Sequence, residues 1–170
     1  LDYLLDLGLL SNSGLENLMS LETFSMPDAR SALGLPSGFW SLPNVKYINL
    51  ARTATNQRLL DLPPKLEVLD ISDTSSIVIG RQITIPSTLQ VLRANYIPIE
   101  GLQNILAPET PGSLRELVAS DNSIVDTIPA QFNQPNIEKL ILSPGKLYGQ
   151  IPFDLLTNAP KLHTLDLSKN

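Results

Sequence analysis

The closing line of the chain, LHTLDLSKN from Leu162 to Asn170, has an apolar residue, two variable ones, apolar, one variable, apolar, two variable, then a polar or small residue. The same pattern recurs as LETFSMPDA from Leu21, VKYINLART from Val45, LEVLDISDT from Leu66, LQVLRANYI from Leu89, LRELVASDN from Leu114 and IEKLILSPG from Ile137. Successive starts lie 24, 21, 23, 25, 23 and 25 residues apart. A unit of this size cannot bury its apolar side alone; stacked copies bury it against one another, so the period restricts the chain to a solenoid. An earlier match at Leu4, Leu7, Leu9 and Asn12 lies only 17 residues before Leu21 and reads as a shortened repeat or N-terminal cap over residues 1–20. The domain reading is therefore one solenoid over residues 1–170, with about seven repeats starting near 21, 45, 66, 89, 114, 137 and 162.

Within each line, apolar and variable residues alternate with the period of a short strand. Leu165 and Leu167 point inward, and Thr164, Asp166 and Ser168 outward. Stacked units then build a parallel sheet with a step of about 4.8 Å per coil. The return path is patterned too: Leu35-Pro36, Leu62-Pro63, Ile85-Pro86, Ile128-Pro129 and Ile151-Pro152 are followed by apolar residues such as Phe39, Trp40, Phe132, Leu155 and Leu156. Proline fixes φ near −65° and removes a donor, which favours extended or 3₁₀ return segments over long helices.

Composition narrows the function classes. The 170 residues are 42% hydrophobic and 17% charged, as in globular proteins, and the net charge of −5 argues against a duplex nucleic-acid binder. There are no cysteines, hence no disulfide framework or thiolate metal site. No apolar run reaches the roughly 20 residues needed to cross a bilayer. His163 is the sole histidine, and no Gly-rich phosphate loop, GxSxG elbow or HExxH helix is present, so no catalytic group, metal site or cofactor is expected. Asp70, Asp73 and Asp121 read as solvating acids in the absence of a calcium-loop pattern. Trp40 and Phe39 read as core.

These lines resemble the leucine-rich-repeat family from about Leu21 to Asn170. The resemblance implies an α/β solenoid: a horseshoe with a parallel β-sheet on its concave face and mostly irregular or 3₁₀ return segments. The run LYGQIP, with Leu147, Gly149, Ile151 and Pro152, looks like the Leu-x-Gly-x-Ile-Pro subtype of plant receptors and secreted plant proteins. LPSGFW, and threonine at Thr53 and Thr74 in the usual asparagine place, are similar to surface-antigen repeats of protozoan parasites. Both subtypes imply an extracellular or cell-surface location, with a cytoplasmic one left open. The family's inward asparagine, which ties coils together through backbone groups, is retained at Asn122 and Asn170; Thr53 and Thr74 can substitute through a hydroxyl, whereas Ala29, Ile97 and Gly145 cannot.

In that family the outward strand residues face partners. Here one such row runs Ser25, Asn49, Asp70, Arg93, Val118, Ile141, Asp166, and a flanking row runs Thr23, Tyr47, Val68, Val91, Glu116, Lys139, Thr164. The candidate partner-binding residues are Tyr47, Asn49, Val68, Asp70, Val91, Arg93, Glu116, Val118, Lys139, Ile141 and Asp166, with Tyr96 adjoining. Apolar area rimmed by charge suggests a contact surface; the competing reading is that β-branched residues suit strands. The function expected is a non-enzymatic scaffold recognising a protein or other macromolecule, with no nucleic-acid partner and no membrane insertion in this segment. The alternatives are a structural or adhesive segment of a surface layer, stalk or filament, and the targeting arm of a larger receptor kinase. Further coils or a cap are expected at the ends.

Overall fold

A computed structural model describes residues 18–29, 35–59 and 61–170. The shortened repeat or cap read over residues 1–20 falls almost wholly outside the described residues. Nine strands are present among those described: β1 (Thr23–Ser25), β2 (Tyr47–Asn49), β3 (Ala54–Leu59), β4 (Val68–Asp70), β5 (Ser75–Ile79), β6 (Val91–Arg93), β7 (Glu116–Val118), β8 (Lys139–Ile141) and β9 (Thr164–Asp166). Seven form one sheet in the order β1-β2-β4-β6-β7-β8-β9, every pair parallel. One strand enters per coil, which is the expected leucine-rich-repeat solenoid.

The register explains the repeat. Each strand is three residues long, and its middle residue stacks on the middle residue of the next: Ile48 on Leu69, then Leu92, Leu117, Leu140 and Leu165. Ile48, Leu69, Leu92, Leu117 and Leu140 are completely buried. Each such side chain stabilises the stack by about 2 kcal/mol of apolar transfer. Leu165 faces the same way but is 39% exposed, because no described coil packs beyond β9.

Return segments hold little helix: a 3₁₀ turn at Ser37–Ser41 and single α-turns at Gln103–Leu106 and Phe153–Thr157. Phe39 and Trp40 are core residues, with Phe39 edge-on to both Phe24 and Trp40. Leu35, Leu62, Ile128, Phe132 and Leu155 are buried as the pattern requires. Leu156, expected in the same layer, is solvent-exposed, since one helical turn can direct only one of two adjacent leucines inward. Ile151 is also exposed. The repeat pattern did not foresee a second parallel sheet, in which β3 pairs with β5 on the far side of the strand turns and Ile79 bridges onward to Ile99.

The turns after six of the seven strands of this sheet share one conformation; after β8 the equivalent position is Pro144, joined to Ser143 by a cis peptide bond. Asp28, Arg52, Asp73, Tyr96, Asp121 and Lys169, all at the eighth position of the repeat line, have φ between 54° and 62°. Aspartate tolerates this left-handed region better than most residues. Inward polar side chains then tie coil to coil. Thr53 Oγ1 donates to the Met26 carbonyl at 2.7 Å, Thr74 Oγ1 to Leu50 at 3.1 Å, Asn122 Nδ2 to Ala94 at 2.8 Å and Asn170 Nδ2 to Leu142 at 2.8 Å. Every acceptor occupies the sixth position of the preceding line. The threonine hydroxyls therefore do replace asparagine. Asn122 also reaches back to accept the Ile97 amide at 2.7 Å, so a coil without its own polar rung is served by the next. Asn122→Ala removes two buried bonds and is expected to lower stability by about 2–4 kcal/mol in urea denaturation; a loss within a few tenths would contradict the rung.

Candidate functional site

All the singled-out strand residues lie on the outward side of the seven-stranded sheet. On β2, β4, β6, β7 and β8 both outward residues are half-buried, while the residue between them is fully buried. Tyr96 is placed differently: it sits on a turn, exposed, and its hydroxyl hydrogen-bonds Asp121, which raises its pKa.

Strand register sorts the apolar residues into two ladders. Tyr47, Val68 and Val91 are successive partners on β2, β4 and β6. Val118 and Ile141 are partners on β7 and β8. The ladders do not join in one row, because Val91 is paired with Glu116 and Val118 with Arg93. The step between them is charged: Arg93 Nε donates to Glu116 Oε1 at 2.8 Å, and Lys139 Nζ lies 3.9 Å from the same oxygen. A shallow depression of about 190 Å³ opens beside this chain, bordered by Val91, Glu116, Lys139 and Arg115.

Several polar residues of the face serve the fold. The carboxamide or carboxylate oxygens of Asn49, Asp70 and Asp166 accept the amide two residues later, from Ala51, Ser72 and Ser168, at 3.0, 3.1 and 2.9 Å. These short loops brace the strand ends, and only their outer atoms remain for a partner. At the strand-entry edge, Lys46 pairs with Glu22 and Arg115 makes two bonds to Glu138. The hydrogen bond from Arg115 holds the Glu138 carboxyl below its ordinary range. Each pair joins adjacent coils, a specification that no single repeat reveals.

His163 is exposed, with Nδ1 3.1 Å from Thr164 Oγ1. Among the described residues no three histidine or acidic groups converge on a point, and no helix is long and apolar enough to cross a membrane.

A stack of short parallel strands with a half-buried outward face and irregular returns defines a leucine-rich-repeat solenoid. The plant peptide hormone receptor RGFR1, solved in complex with RGF2, has a similar fold: TM-score 0.59 at 21% identity, over 92% of this chain and 30% of that one. PEPR1 with AtPEP1 superposes at a TM-score of 0.45 and 20% identity, over 93% of this chain and 29% of that one, and adds nothing to the fold assignment. This chain thus spans about a third of the length of these receptors. No protein-family model and no curated protein matches it.

Proposed function

We propose that this solenoid is a non-enzymatic recognition scaffold that binds a polypeptide across the outward face of its sheet, as part of an extracellular or cell-surface protein. The observation that carries the reading is the pair of apolar ladders, Tyr47–Val68–Val91 and Val118–Ile141, held half-exposed on a rigid backbone. Apolar side chains at the centre of a surface with charge around them are the usual composition of a contact patch. The likeness to RGFR1, a peptide hormone receptor, supports a polypeptide over other ligands, and the Leu147-x-Gly149-x-Ile151-Pro152 run supports the plant-type extracellular subtype.

Peptides of about twelve residues, selected on this protein from a displayed random library, provide the probe. Substituting both Val118→Asp and Ile141→Asp should lower their affinity at least about tenfold, since charge replaces the apolar centre, while circular dichroism stays native. Undiminished affinity would place binding elsewhere. Concentration-dependent self-association of the wild-type chain, with no peptide recovered, would favour the adhesive or structural role instead.

A further inference from the structure

We infer that the polypeptide recognised on this face presents an aspartate or glutamate side chain, flanked on both sides by apolar residues, to the guanidinium of Arg93. This deepens the binding reading above and rests on it. The ion-paired arginines differ in how their guanidinium groups are engaged. Arg52 meets Asp28 through Nε and Nη2, Arg58 meets Glu100 through Nη1 and Nη2, and Arg115 meets Glu138 through Nε and Nη2. All three forks are closed on a carboxylate. Arg93 is bonded only through Nε, to Glu116, so among the described residues Nη1 and Nη2 have no hydrogen-bond partner.

Its neighbours make that opening specific. The bond from Nε to Glu116 fixes the guanidinium and limits the rotamer freedom a ligand must remove. Glu116 is itself approached by Lys139, so one carboxylate is shared between two cations and does not close the Arg93 fork. Asp70 is the register partner of Arg93 and could have neutralised it. Its charge acts favourably on Arg93, but its carboxylate accepts the Ser72 amide and makes no hydrogen bond or close ion pair with the guanidinium, so the outer nitrogens stay open. Arg93 is 43% exposed in its side chain, enough for a ligand to reach. A planar fork with both outer donors open matches a carboxylate bidentately.

The position along the solenoid indicates what surrounds the acid. Arg93 lies on β6, between the ladder that ends at Val91 and the ladder that starts at Val118. The midpoints of Val68–Val91 and Val118–Ile141 are two strand steps apart, roughly 10 Å, and offset sideways by two residues. An extended chain advances about 3.3 Å per residue, so apolar side chains about three to four residues apart fill both ladders with the acid between them. A chain terminus at Arg93 would leave one ladder empty, so the structure favours a side-chain carboxylate within the peptide.

The test uses the same displayed library. Selected peptides should carry Asp or Glu between apolar residues, and a synthetic acidic peptide should lose affinity about tenfold or more with the Arg93→Gln protein. Its Asn- or Gln-substituted counterpart should bind wild type and variant about equally. Arg93→Lys should recover only part of the loss, because a point charge does not reproduce the fork. If Arg93→Gln binds the acidic peptide as wild type does, while the Val118→Asp and Ile141→Asp protein has lost it, the carboxylate inference fails and the sheet-face reading survives. If those two substitutions also have no effect, or no peptide is recovered, both fail.

Discussion

Leu140→Asp is expected to unfold the coils around β8. Leu140 has no exposed surface and stacks between Leu117 and Leu165, so the carboxylate would have neither water nor a partner. Burying an unpaired charge costs several kcal/mol, a large share of the roughly 5–15 kcal/mol that keeps a domain folded. Because each coil is held only by its neighbours, the damage should spread along the stack from that coil. The same change at Leu165 should cost much less, since that residue is 39% exposed and is covered from one side only. Urea denaturation monitored by circular dichroism separates the two. Equal losses of midpoint would mean that the middle residues of the strands are not stacked as described.

Gly112→Ala should be almost as damaging, although glycine to alanine is usually a mild change. Gln134, nearly fully buried, donates from Nε2 to the Ile105 carbonyl at 2.6 Å and accepts the Leu114 amide on Oε1 at 3.1 Å. A methyl on Gly112 would lie 2.1 Å from Oε1 and 2.3 Å from Nε2. The carboxamide cannot move aside without giving up both bonds, and each buried polar group so stranded costs about 1–3 kcal/mol. The expected loss is about 2–5 kcal/mol. Adding Gln134→Ala to Gly112→Ala should cost far less than the sum of the two single changes, because the clash and the bonds disappear together. Additive effects would show that Gly112 and Gln134 do not share that space.

Gln134 also illustrates where sequence reading stops. In NQPN, between a buried phenylalanine and a strand, it looks like a turn residue; only the neighbouring coil, which supplies Ile105, makes it a core polar bridge. The strand stack was legible because the inward apolar position recurs in every line, and a register slip of one residue would turn Leu69 or Leu117 to solvent. The β3–β5 sheet was not, since it depends on adjacent coils extending past the strand turn and is seen in only part of the described residues. At the candidate site, the outward rows could be written down from Tyr47 to Asp166. What they could not disclose was how the polar members are committed: Asp70 and Asn49 to their own turns, Arg115 to Glu138, and Arg93 by one nitrogen only. The two arginine pairings arise between coils, 23 residues apart along the chain, whereas the Asn49 and Asp70 bonds are local, two residues long, and turn on which way each side chain points.

Amide chemical-shift mapping of the isotopically labelled protein with a selected peptide tests recognition through the sheet most directly. The perturbed amides should cluster on β2, β4, β6, β7 and β8, around Val68, Val91, Arg93, Val118 and Ile141. Perturbations confined to the return side, around Gln103–Leu106 or the β3–β5 sheet, would contradict it.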